Sequence, residues 1–98
     1  MTWNTLKERH PIWFAPEAMR FFSSRLLGAP AATPDGSAYF VTSERCSYDH
    51  PRLYSVRVSR KDESGRWQID TIGAGFQGYT SARAARTAMR QIMREAAK

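Results

Sequence analysis

Ninety-eight residues set the scale of one domain, and a composition of 42% hydrophobic and 24% charged residues excludes wholesale disorder. Fifteen Lys and Arg against nine Asp and Glu give a net charge of +6 and a pI near 10.1, which suits contact with phosphate backbones, an anionic membrane or an acidic protein. Cys46 is the only cysteine, which excludes an intramolecular disulfide and a multi-cysteine metal site, and a soluble, cytoplasmic protein is expected.

Thr2 to Arg9 reads as a short helix closed by His10-Pro11, within a stretch 1–14 that also suits an irregular N-terminal arm. The first residues lack the apolar core of a signal peptide, and no stretch approaches the length of a membrane span, so no membrane contact is expected. Ala15-Pro16-Glu17 marks a second helix start, with proline in the first turn and an acid at the positive end of the dipole. Ala18, Met19, Phe22 and Leu26 continue at helical spacing, and Met19, Phe21 and Phe22 read as core. Gly28 and Pro30 end this segment, with room for a short strand from Arg25 to Leu27.

Pro34-Asp35-Gly36 is a turn signal, because proline pre-sets one dihedral and glycine accepts a positive one. Residues 38–43 follow as a strand rich in aromatic and β-branched side chains. Leu53 to Arg60 alternates, with Tyr54, Val56 and Val58 on the inner face and Ser55, Arg57 and Ser59 on the other. The polar stretch Lys61 to Gly65 connects it to a further strand, Trp67 to Ile72. The last helix carries an apolar stripe of Ala82, Ala85, Met89, Ile92 and Ala96. The expected architecture is one α+β domain over 1–98: a small antiparallel sheet of three to four strands packed by a C-terminal helix, with a short N-terminal helix.

Arg83, Arg86, Arg90 and Arg94 recur every three or four residues on that last helix, which stacks them along one ridge. No acidic residue lies between Asp70 and Glu95 to relieve their repulsion, so an anionic partner is expected there, against the alternative of a merely solvated face. Arg57, Arg60, Lys61 and Arg66 near the hairpin extend the candidate surface. The loop Gly73-Ala74-Gly75-Phe76-Gln77-Gly78 matches Gly-x-Gly-x-x-Gly, but a dinucleotide fold needs a parallel strand after the helix, and residues up to Lys98 supply only the helix. No cofactor is expected. Amides at Gly75, Gly78, Thr80 and Ser81 suit instead a shallow phosphate nest beside Arg83.

Cys46-Ser47-Tyr48-Asp49-His50 gathers a thiol, a carboxylate and an imidazole, yet one cysteine and two histidines are a poor zinc set, and Asp49-His50-Pro51 reads as turn chemistry. No metal site, catalytic residue or enzymatic activity is expected.

The segments Met19 to Arg25, Tyr39 to Arg45, Tyr54 to Val58 and Ile72 to Tyr79 together resemble small proteins of phages, plasmids and integrated elements. The resemblance implies action by binding, as a DNA accessory or as an inhibitor of a host defence complex in the manner of anti-CRISPR proteins. Two functions follow as expectations: contact with nucleic acid or a host nucleoprotein complex through the arginine helix, or blockade of a protein partner through aromatic anchors among Trp3, Trp13, Phe76 and Tyr79.

Overall fold

The alternating segment around Val56 and Val58 forms the central strand β3 (Leu53–Lys61), paired on one side with β2 (Ala38–Glu44) and on the other with β4 (Trp67–Ile72). A further strand, β1 (Arg25–Ala32), pairs with β2, so the computed structural model, which describes residues 1–97, holds an antiparallel meander in the order β1-β2-β3-β4. The helices are α1 (Trp3–Arg9), α2 (Pro16–Phe21) and α3 (Ala82–Ala96). This is the expected α+β class.

The turns form for local reasons. Asp35 Oδ1 accepts hydrogen bonds from the Ser37 amide at 2.9 Å and from the Thr33 hydroxyl, while Gly36 takes φ +86. Asp62 Oδ1 likewise accepts from the amides of Ser64 and Arg66 at 2.9 and 3.0 Å, and Gly65 at φ +85 closes the β3–β4 turn.

β2 is buried along its whole length, because both faces of the sheet are covered. On one face lie Val41 and Val56, packed with Leu27, Tyr54 and Ile72 against Ala85, Ala88, Met89 and Ile92 of α3. Ala85 is fully buried; its small side chain lets the helix lie close to the strands. On the opposite face Phe40 meets Trp3, Trp13 and Phe14 edge-on or tilted, at centroid distances of 5.5, 5.9 and 6.2 Å, with Leu6 fully buried beside them. Each such buried apolar side chain contributes about 1.5–3 kcal/mol.

Three expectations change. Residues 1–14 are no irregular arm: α1 starts on a Thr2 cap and is tied to β1 by Trp3 Nε1 donating to the Gly28 carbonyl at 2.8 Å, and the segment brings Trp3, Leu6, Trp13 and Phe14 to the second core. Helix α2 stops at Phe21 rather than running on to Leu26, and Phe21, expected in the core, is exposed. The Ser23 amide bonds the Arg20 carbonyl at 3.1 Å and the Ser24 amide the Met19 carbonyl at 2.7 Å, with Ser23 at φ +48, which is a Schellman closure. Finally, Gly28 and Pro30 do not end β1. The pairing skips from Leu27–Val41 to Ala31–Tyr39, and Gly28 at φ +67 lets the edge strand absorb the extra residues as a bulge.

Candidate nucleic-acid interface

Ser81 caps α3, its hydroxyl accepting from the Ala84 amide at 3.0 Å, and this fixes the helix phase so that Ala85 points to the sheet. Arg83, Arg86, Arg90 and Arg94 are then exposed on a separate face, as their spacing predicts. Among the described residues none of the four forms a salt bridge; Arg94 donates to the Gln91 side chain at 2.6 Å, and Gln91 in turn to Glu95 at 3.0 Å. A Cβ placed on Gly28 would lie 3.8 Å from the Arg86 guanidinium, so the ridge runs beside edge strand β1.

The hairpin residues fall elsewhere. Arg60, Lys61 and Arg66 are exposed on the β3–β4 hairpin, and β4 is the edge opposite β1, three strand spacings of about 4.8 Å away. Arg60 Nε pairs with Asp70 at 2.9 Å, and the Lys61 ammonium lies 5.2 Å from the centre of the Trp67 ring. They form no continuous patch with the ridge.

Arg57 is the clear departure from expectation, because it is buried. Its Nη2 pairs with the fully buried Glu44 at 2.8 Å, Nε donates to Thr42 at 3.2 Å and Nη1 to Thr71, while its guanidinium lies 5.4 and 5.5 Å from the Trp13 and Phe76 ring centres. Glu44 also accepts from Ser55 and Thr42, so each side-chain nitrogen and oxygen of the pair has a hydrogen-bond partner. The strand alternation places Arg57 opposite the α3 face correctly, but that face is covered by the N-terminal segment rather than open to a ligand.

The glycine loop also spends its donors internally. The Gly75 amide bonds the Ile72 carbonyl at 3.4 Å, Gly78 bonds Gly75 at 3.0 Å, Gln77 bonds the Ser55 hydroxyl at 2.8 Å and Ala74 bonds the Tyr79 hydroxyl at 2.9 Å. A nest built on Gly75 and Gly78 therefore has no free amide at those two positions. Thr80 and Ser81 remain exposed at the start of α3, with the Ser81 hydroxyl committed to its cap.

A second basic cluster escaped the sequence reading. Arg20, Arg25, Arg45 and Arg52 line a cavity of about 300 Å³ with Ser23 and Ser24, at the end of the sheet where β1 starts, β2 finishes and β3 begins. Arg52 is held in place by the Ser23 carbonyl at 2.9 Å, the Ser43 carbonyl at 3.3 Å and the Ser43 hydroxyl at 3.0 Å. Burial, then the charges of Arg25 and Arg45, push its pKa below the ordinary guanidinium value. Register would have been the signal: pairing Arg25 with Ser43 and Glu44 with Leu53 brings positions 25, 45 and 52 to one end.

The short segment with Cys46 and His50 behaves as a turn. His50 donates its amide to Ser47 at 3.1 Å, and among the described residues no group of three or more His, Cys, Asp or Glu is placed to hold a metal ion. Among them, too, no helix is long and apolar enough to cross a membrane.

Fold and surface together define a small basic α+β domain, a four-stranded meander between two helical layers with arginines on one helix and at one sheet end. Residues 2–90 match DUF7447, a family of unknown function, and the chain belongs to that family. No curated protein and no solved structure matches it.

Proposed function

We propose that this protein is a non-catalytic binding protein of the cytoplasm that contacts nucleic acid, alone or within a nucleoprotein complex, through the arginine ridge of α3. The supporting observation is the set of exposed arginines at 83, 86, 90 and 94, which have no carboxylate partner among the described residues. Each guanidinium placed on a phosphate releases counterions, so affinity for a DNA or RNA duplex falls linearly on a log-log plot against salt. Exchanging Arg86 and Arg90 for Gln is expected to flatten that slope by roughly two units. An unchanged slope, measured by fluorescence anisotropy across a salt series, would remove the ridge from the interface.

A second reading is supported by large apolar side chains left open to solvent: Ile12, Phe21 and Tyr48 are 84, 76 and 89% exposed. Trp3 and Trp13, expected as anchors, pack into the core instead, and Phe76 is 45% exposed. On this reading the protein comes from a phage or other mobile element, as the sequence resemblance suggests, and blocks a host defence complex by protein contact. Pull-down from a bacterial lysate, with and without nuclease, separates the two. A partner that survives nuclease favours protein contact, and loss of every partner counts against it.

A further inference from the structure

Two cavities meet at the end of the sheet. The arginine-lined cavity of about 300 Å³ shares Ser23 and Arg45 with a neighbouring one of about 190 Å³, lined also by Phe21, Cys46 and Tyr48. One is a cation cluster and the other is flanked by two exposed aromatic rings.

The charge in the first cavity is poorly relieved. Its arginines come from α2, from the start of β1, from just past the end of β2 and from the connection into β3, and the salt bridge nearest to them is a loose contact of 3.9 Å between Arg20 and Glu17. The buried Glu44 is committed to Arg57. Arg52 is anchored by backbone and Ser43 oxygens rather than by a carboxylate, so its fixed position presents positive charge to the cavity. An oxyanion there would accept several charge-assisted hydrogen bonds at once.

The second cavity has complementary chemistry. Phe21 and Tyr48 leave most of their rings in water, which costs apolar hydration that a planar ligand would remove. The Arg45 guanidinium lies 4.8 Å from the centre of the Tyr48 ring, so one side chain borders both the anion cavity and the aromatic one. Phe21 meets Phe22 edge-on at 4.6 Å, and Phe22 lies 5.2 Å from Phe76, so Phe21 is in contact with other rings on its inner side.

We infer that this end of the sheet binds a single-stranded nucleic acid, with a backbone phosphate in the cavity of Arg20, Arg25, Arg45 and Arg52 and an unpaired base stacked at Phe21 and Tyr48. The inference rests on the nucleic-acid reading above and narrows it. A base locked in a duplex cannot reach the aromatic cavity, whereas a flexible strand can lay a base and its neighbouring phosphate into adjoining pockets. Charge complementarity selects a polyanion over an apolar peptide, because the exposed rings are bordered by guanidinium groups.

The test is fluorescence anisotropy of the full chain with a labelled thymidine dodecamer and with a duplex of the same length. The parent protein is expected to bind the single strand more tightly than the duplex. Phe21→Ala with Tyr48→Ala should weaken single-strand binding about tenfold while leaving duplex binding unchanged. Arg25→Gln with Arg45→Gln should flatten the single-strand salt slope by about 1.4 units. Thermal melts check that each variant folds; should Phe21→Ala disturb α2, Tyr48→Ala alone serves, since its ring contacts Arg45 and is otherwise open. Equal single-strand affinity for the parent and the aromatic variants overturns the inference but leaves the α3 ridge standing, because Arg86 and Arg90 still govern duplex binding. A parent that prefers the duplex also overturns it. Failure to bind either polymer removes both.

Discussion

Removing one member of the Arg57–Glu44 pair leaves the other charged and enclosed. Their side chains are only 10 and 1% exposed, and every polar atom in the cluster has a partner. Arg57→Met is therefore expected to lower stability by about 3–5 kcal/mol, while Arg57→Met combined with Glu44→Leu recovers most of the loss. Urea denaturation of the parent, both single variants and the double variant reads this directly. His10 sets a separate, pH-dependent term. Its ring bonds the Ser59 hydroxyl at 2.7 Å, and burial, then the neighbouring Arg9 charge, lowers its pKa from 6.5. The folded state thus holds fewer protons than the unfolded chain once the pH drops below that value, so stability falls as pH decreases through 6.5 and stops falling below the folded pKa. The melting temperature should show this decline, and His10→Gln should flatten it. The pKa values of Asp35 and Asp62 are lowered from 3.8, mainly by the Thr33 and Ser64 hydroxyls, so their contribution is lost only as pH falls below that value.

At the scale of elements, the sequence is legible where local chemistry decides and opaque where a neighbour decides. Pro34-Asp35-Gly36, the alternation of β3 and the Ala85, Met89 and Ile92 part of the α3 stripe appear as expected, because turn dihedrals and side-chain periodicity act within a few residues, while Ala96 of that stripe is exposed. Helix α2 runs short of its spacing because a serine, not a glycine, takes the left-handed position that closes it. Serine in that conformation is strained by roughly 1–2 kcal/mol, a cost the two closing hydrogen bonds offset. Ser23→Gly should relieve it, and after subtracting the greater freedom glycine gains in the unfolded chain, a net stabilisation of about 0.5–1 kcal/mol is expected. A thermal melt should rise by about 4 °C. β1 was masked by Gly28 and Pro30, which read as breakers in isolation but sit in a bulge on an edge strand, where a missing donor and a positive φ are tolerated. The Arg20, Arg25, Arg45 and Arg52 cluster was invisible for a different reason, since only strand pairing assembles residues so far apart in the chain.

For the whole molecule the decisive fact is that the sheet has two covered faces. Alternation in β3 cannot reveal this, as serines and an arginine on one face look like a solvated surface. The run Ala38-Tyr39-Phe40-Val41 does carry the signal, because apolar residues at consecutive positions need partners on both sides of a strand. Ala38 and Phe40 pack under the N-terminal segment, and Val41 under α3. The two cores are thus joined through a single layer of strands, and loss of either cover exposes the same β2. Leu6→Ala, at a site with no solvent exposure, should cost about 2–5 kcal/mol. Deleting residues 1–14 should do more, since it uncovers Phe40 and removes the His10 bond to Ser59 along with Trp3, Leu6, Trp13 and Phe14. The expected product retains strand and helix signal in far-ultraviolet circular dichroism but binds a hydrophobic dye and melts without a sharp transition. An undiminished cooperative melt after that deletion would mean that α3 and the sheet form a sufficient core by themselves. The buried Arg57 argues against it, because without Trp13 above it a charged pair would sit in a half-open face with its aromatic cover gone.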